Sequence, residues 1–333
     1  MTSFSTDPSS ATAVWFPRAR TVEFRDEPLP LLQPGDVRIE TIASAISHGT
    51  EMLVFRGQVP PELELDLPTL RGDFAFPIKY GYACVGRVLE AGVDSALRPG
   101  QPVFVLHPHQ TRFVVPASLA VTLPDTLDPL LGVFLANCET AVNIMLDAAP
   151  RLGETVAVFG QGVVGLLVTQ LLRRAGVGRL IAVDPIDARR ELAHRVGADV
   201  ALPPAEALAL EADVSIEVSG NVAALQQAID CLAFGGTVVV CSWYGTKPVA
   251  LQLGGAFHRR RPRVVSSQVG SIDAALQPRW SYRRRLELAR DLLSELELAS
   301  LVSHRFALAR AAEAYELIDQ RPEETVQVVL TYG

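Results

Sequence analysis

The sequence predicts an α/β protein made of a β-rich part and a doubly wound parallel sheet. Three observations carry that expectation. The chain has 333 residues, 49% of them hydrophobic and 20% charged, enough for one large core or two domains of ordinary size. Its texture changes near Leu130, from short β-rich runs broken by Pro and Gly to a repeat of strand, glycine loop and helix. A glycine-rich turn, Gly160-Gln-Gly-Val-Val-Gly165, then joins an apolar strand to an amphipathic helix.

The elements follow in order. From Ala13 to about Pro116 the runs "VEFRDEPLPLLQPGDVRIETIASAIS", "YACVGRVLEAG", "QPVFVLH" and "TRFVVP" predict a barrel or sandwich, with a short helix at "EMLVFRG". Beyond Leu130 come "ETVAVFG", "VGLLVTQLLRRAG", "RLIAVD", "ARRELAHRVGAD", "VSIEVSG", "AALQQAIDCLAFGG" and "TVVVCSW". Strands alternating with helices pair in parallel. "RVVSSQVG" reads as a strand, "SYRRRLELARDLLSELEL" as an amphipathic helix, and "AAEAYELID" with "TVQVVLTYG" closes the chain. No internal repeat is visible.

Composition excludes several functions. A net charge of −7 argues against general affinity for nucleic acid or acidic membrane surfaces, which need a positive field. No apolar run approaches the ~18 residues that would span a bilayer, and the polar "MTSFSTDPSSAT" is no signal peptide. A frayed N-terminus and a cytoplasmic protein are expected. Cys84, Cys138, Cys231 and Cys241 are scattered in apolar contexts, which suits reduced core thiols.

The glycine turn has the context of a dinucleotide site. Its glycines suit a tight turn, close approach to a pyrophosphate and tight helix packing, and the helix N-terminus offers N–H groups and positive dipole. Gly160, Gln161, Gly162, Val163, Val164 and Gly165 are the expected cofactor-binding residues. Asp184 ends the next strand, about 20 residues on, where a carboxylate binds ribose hydroxyls and repels a 2′-phosphate. Two roles are open to it: ribose anchor, or cap of the following helix with Pro185. The first favours NAD over NADP; Arg189 and Arg190 temper that, since an arginine accepts a phosphate.

These motifs, together with "PGDVRIETIASAISHGTE", "YGYACVGRV", "IEVSGNVAALQQAIDCLAFGGTVVV" and "RFALARAAEAYELI", occur in the order of the medium-chain dehydrogenase/reductase, or alcohol dehydrogenase, superfamily, which the whole chain resembles. Ser47-His-Gly-Thr-Glu51 with "GYACVGRV" is similar to the zinc-lacking branch that contains bacteriochlorophyllide a dehydrogenase. The resemblance implies a GroES-like catalytic domain from residues 1–136 and 272–333, and a Rossmann domain from residues 137–271. It implies an active site in the cleft between them and assembly as a homodimer or homotetramer. Thr140 and Ser219 join the implied cofactor-binding residues, while Gln327 stands where the family often has Arg or Lys.

Zinc members of the family take ligands at positions that map to His48, Tyr82 and the stretch Ala136 to Glu139. A catalytic zinc wants three N, S or O ligands. His48 with Cys138 or Glu139 supplies two, and a neutral tyrosine is a poor third, so a zinc-free enzyme is implied. His107 and His109 share i, i+2 spacing but read as exposed loop histidines. Without zinc the alcohol proton needs a side chain. His48 is implied as general base, Tyr82 as a hydrogen-bond and proton donor, Thr50 as a relay hydroxyl, and Glu51 as orienting His48 or steadying the first helical turn. Each also has a bland role: turn histidine, helix cap or core aromatic.

Two arginine clusters, Arg259, Arg260, Arg261 and Arg263, then Arg283, Arg284 and Arg285, read either as solvated faces or as a site for an anionic substrate. Phe55, Trp243 and Tyr244 are candidate pocket residues. The expected function is hydride transfer between NAD and a small secondary alcohol or ketone. An NADPH-dependent enoyl or quinone reductase and a silent nucleotide-binding protein are the alternatives.

Overall fold

Thr155–Phe159 and Arg179–Val183 are buried along almost their whole length, which a strand achieves only when both faces of its sheet are covered. The computed structural model, which describes residues 7, 9–65 and 67–333, places them in a six-stranded sheet. The spatial order is Val200–Leu202, Arg179–Val183, Thr155–Phe159, Ala212–Glu217, Leu232–Val240 and Arg263–Ser266. Every pairing in it is parallel. Counted along the chain, that order is 3-2-1-4-5-6, the doubly wound arrangement. The helices Val163–Ala175, Asp187–Arg195 and Val222–Asp230 are crossovers between its strands. The first ends at Gly176 in the left-handed region, φ +77°, the usual helix stop. The strand Leu232–Val240 takes over "LAFGG", which the sequence reads as helix.

The other unit is β-rich. Val302–Ala307, Gln327–Thr331, Asp36–Ile46, Cys84–Ala91, Pro102–Val105 and Val121–Thr122 form one sheet in that order, and Arg112–Pro116 also pairs with Asp36–Ile46. The long Asp36–Ile46 strand is the hub, joined to the C-terminal strand through Val328↔Ile46 and to Cys84–Ala91 through Ser44↔Cys84. Ser10–Trp15 and Glu23–Pro28 make a separate antiparallel pair. Residues 1–6 and 8 of the N-terminal stretch expected to fray lie outside the described residues; from Ser10 onward the chain is already strand. Phe16, Phe55 and Tyr315 pack edge-on or stacked in its core, with ring centroids 5.0–5.3 Å apart. No helix among the described residues is long and apolar enough to cross a membrane.

Contacts divide the chain into Met1–Ala136 with Leu298–Gly333, and Asn137–Glu297. The first boundary falls after residue 136. The return falls at residue 298 instead of 272. The reason is Arg285, on the helix Tyr282–Leu292, which is 3% exposed. Its guanidinium donates to Glu139 Oε1 at 3.0 and 3.1 Å and to Asn143 Oδ1 at 2.6 Å, tying that helix to Leu135–Ala148.

Candidate active site

In the doubly wound unit the three glycines of the turn are needed for three different reasons. Gly160 follows the strand with φ +100°, and a Cβ on it would lie 2.8 Å from Ser219 Cα. Gly162 is the N-cap of Val163–Ala175, and a Cβ there would meet nothing within 4 Å. This is open space at a helix start, beside the N–H groups of Val163, Val164 and Gly165, for which an α-helix has no internal acceptor. Gly165 touches the turn itself, since its Cβ would fall 1.9 Å from the Gly160 carbonyl oxygen.

Gln161 departs from expectation. Its side chain is buried, donating to Val158 O at 3.2 Å and accepting from the Thr169 hydroxyl at 3.1 Å. Its backbone N–H donates to Asp184 Oδ2 at 2.7 Å. Both polar ends of Gln161 thus hold the turn together. Asp184 is 2% exposed, and its Oδ1 accepts the Ile186 N–H at 2.9 Å. It is not the cap of the next helix, whose N-cap is Ile186. Two of about four acceptor positions on its carboxylate are used. Arg189 Nη1 lies 4.0 Å from Oδ2, and Arg190 donates to the Asp184 carbonyl at 2.8 Å.

Glu217, which sequence reasoning passed over, organises the next loop. Fully buried at the end of Ala212–Glu217, it accepts from the Ser219 N–H and hydroxyl at 2.7 Å, from the Gly220 N–H at 3.0 Å, and from the Tyr244 hydroxyl at 2.8 Å. Ser219 is thereby held behind Gly160, and burial with the Glu217 charge pushes the Tyr244 phenol well up. Thr140 lies partly buried on Leu135–Ala148. The arginine clusters disperse: Arg259, Arg261 and Arg263 are exposed, Arg283 pairs with Glu287 at 2.8 Å, and Arg284 stacks on Trp280.

In the β-rich unit His48, Thr50 and Glu51 lie on one turn. His48 precedes the helix Thr50–Phe55, whose N-cap is Gly49, without a side-chain cap; Thr50 is therefore its first helical residue, not its cap. Burial pushes the Tyr82 phenol up to about 12, the Glu51 charge adds to the rise, and hydrogen bonds with Ser47 and Thr50 oppose it. Tyr80 packs against Tyr82, ring to edge, at 6.2 Å. Glu51 is fully buried; its Oε2 accepts the Ser47 N–H at 3.1 Å, and its Oε1 accepts from His109 Nε2 at 2.8 Å and from the Tyr315 hydroxyl.

Two expectations are corrected here. His107 and His109 are buried, at 7% and 0% exposure. His107 stacks on Phe113 with centroids 3.8 Å apart, and burial pushes its imidazole down to about 3. Phe55, expected at the substrate pocket, is instead 4% exposed and packed in the core with Phe16 and Tyr315. Gln327, too, is a core residue, 1% exposed, donating to Ile46 O at 3.0 Å.

Among the described residues no three His, Cys, Asp or Glu side chains are grouped to hold a metal. Burial pushes the Cys138 thiol up to about 12, and the Glu139 charge adds to the rise. Glu139 is engaged by Arg285, and Tyr82 keeps its proton.

Residues 163–282 match the family described as zinc-binding dehydrogenases. The chain is 30% identical to D-guloside 3-dehydrogenase of Escherichia coli K12, over 94% of this chain and 97% of that one. It is 29% identical to 2-desacetyl-2-hydroxyethyl bacteriochlorophyllide A dehydrogenase of Cereibacter sphaeroides, over 87% and 88%. Its fold is similar to that of an alcohol dehydrogenase of E. coli CFT073 complexed with NADH (TM-score 0.79, 19% identity, 97% and 99% covered). It is also similar to a protein of Sinorhizobium meliloti 1021 bound to NADP (TM-score 0.78, 23% identity, 97% and 99% covered).

Proposed function

Because the chain belongs to the zinc-binding dehydrogenase family of the medium-chain dehydrogenase/reductase superfamily, we propose that it is a zinc-independent, NAD-dependent oxidoreductase for a secondary alcohol or ketone. The observation that carries this reading is Tyr82, a buried phenol pushed up to about 12, with Ser47 and Thr50 beside it, where the family resemblance puts a zinc ligand. Relatives named for a guloside and for a hydroxyethyl bacteriochlorophyllide support an alcohol carbon as the reacting centre.

A bound nicotinamide supplies the hydride acceptor or donor. The open space at Gly162 admits the pyrophosphate and Asp184 takes the ribose hydroxyls. Ser219 and Thr140 complete the cofactor site. In the reducing direction Tyr82 donates its proton to the carbonyl oxygen; in the oxidising direction His48 takes the hydroxyl proton, with Thr50 as relay. Glu51 organises the turn that carries both.

One observation favours NADP instead: Arg189 lies 4.0 Å from the Asp184 carboxylate, as an arginine that accepts a 2′-phosphate would. Titration of the purified protein with NADH and NADPH separates the two. NADH is expected to bind more tightly, and Asp184→Ser to narrow or reverse the preference; indifference to that change removes Asp184 from the site. Elemental analysis of the same protein is expected to find no stoichiometric zinc. One tightly held zinc per chain refutes the zinc-free reading.

A further inference from the structure

In the β-rich unit a chain of buried donors ends on one carboxylate. The Ser47 N–H and the Tyr315 hydroxyl donate to Glu51, and His109 Nε2 lies 2.8 Å from the same Oε1 as Tyr315. A carboxylate only accepts, so the His109 proton sits on Nε2. Its Nδ1 is 2.6 Å from Ser44 Oγ, which is 2.7 Å from the Tyr332 hydroxyl. With a neutral His109 ring the polarity runs one way, from Tyr332 through Ser44 and His109 to Glu51, and each of these donors has an acceptor. His109 and Glu51 are both wholly buried.

This network touches both ends of Tyr82. Gly81 has φ +125°, and a Cβ on it would lie 2.7 Å from His109 Cδ2 and 2.8 Å from Nε2, so the backbone entering Tyr82 rests on the His109 ring. At the other end Ser47, whose N–H is held by Glu51 at 3.1 Å, opposes the rise of the Tyr82 phenol. One carboxylate thus fixes the ring behind the Tyr82 backbone and the Ser47 backbone that neighbours its phenol. We propose that Glu51 and His109 are positioning residues for Tyr82, forming the seat that sets where its phenol is presented. The inference rests on the reading of Tyr82 as proton donor. Glu51 thereby acts through His109 and Ser47, a role that the sequence had not assigned it.

The test uses the full chain labelled with [¹³Cζ]tyrosine, the Tyr82 resonance being assigned by its loss in Tyr82→Phe. A single narrow resonance is expected in wild type. His109→Ala, Glu51→Gln and Gly81→Ala should shift or split it, whereas His109→Gln, which keeps an N–H toward Glu51, should restore it. With an alcohol that the protein turns over, kcat of His109→Ala should fall by about 10²-fold, the scale of a small misplacement, with KM for NAD unchanged and partial recovery in His109→Gln. An unmoved Tyr82 resonance in His109→Ala overturns the inference, as does a glutamine no better than alanine. Should these variants not fold, imidazole nitrogen shifts of wild type decide: Nε2–H is expected at His109, and Nδ1–H overturns the seat. If the resonance moves but Tyr82→Phe keeps full turnover, the proton-donor reading falls and the seat stands.

Discussion

Tyr82→Phe is expected to lower turnover by about 10²- to 10⁴-fold, the usual contribution of a general acid or base, while NADH affinity stays near wild type. The change removes one oxygen and keeps the ring that packs on Tyr80 at 6.2 Å, so the turn retains its shape. Its phenol, pushed up to about 12, is protonated throughout the neutral range, as a donor in the reducing direction must be. The loss should therefore appear in kcat, because the group serves the transition state and not cofactor binding. His48→Ala should lower turnover over a similar range in the oxidising direction. Steady-state kinetics beside fluorescence titration of NADH checks both. If turnover stays within a few-fold of wild type in both variants, the proton travels elsewhere, with Thr50 next in line; collapse of NADH binding would make Tyr82 a structural residue.

Arg285→Met is expected to destabilise the doubly wound unit by about 3–5 kcal/mol, the cost of stranding one partner of a buried ion pair. Arg285 is 3% exposed and its partner Glu139 side chain 16%, so water reaches neither freely. Without the guanidinium the Glu139 carboxylate loses both donors, and Asn143 Oδ1 loses a 2.6 Å hydrogen bond. Adding Glu139→Gln should recover much of the loss, because the pair then carries no charge to strand. Hydrogen exchange in Leu135–Ala148 and Tyr282–Leu292 is the local readout, needing no assumption that two units unfold together. A cost below about 1 kcal/mol would class the pair with ordinary surface bridges. It would also remove the reason why residues 272–297 pack with the second unit.

Both predictions concern residues that the sequence made visible to different degrees. Tyr82 stood out because its position in a recognisable spacing carried an unexpected residue. Arg285 did not, since it is the third of three consecutive arginines on an amphipathic helix, and a run of cations reads as a solvated face. Only the helix phase against Leu135–Ala148 turned one of the three inward.

Local chemistry was legible wherever the reason for a residue lies within a few positions of it. Gly160, Gly162 and Gly165 announce a turn, an open helix start and a close contact, because backbone geometry is set by neighbours in sequence. The strand and helix alternation beyond Leu130 announces the parallel sheet for the same reason. The buried network around Glu51 has no such signature. His109, Tyr315 and Tyr332 stand 58, 264 and 288 positions from their respective hydrogen-bonding partners Glu51, Glu51 and Ser44. Strand pairing decides that meeting: Asp36–Ile46 lies between the C-terminal strand and Cys84–Ala91, which brings Ser44 beside Tyr332. His109 looked like a loop histidine because the pattern around it is polar and short, yet burial made its two ring nitrogens valuable as paired donors and acceptors. The sequence by itself determined the two-part α/β architecture, the family and the glycine turn, all written in local spacing; only the tertiary structure decided which buried acid meets which histidine and which arginine turns inward, because those partners are chosen by sheet order and helix packing.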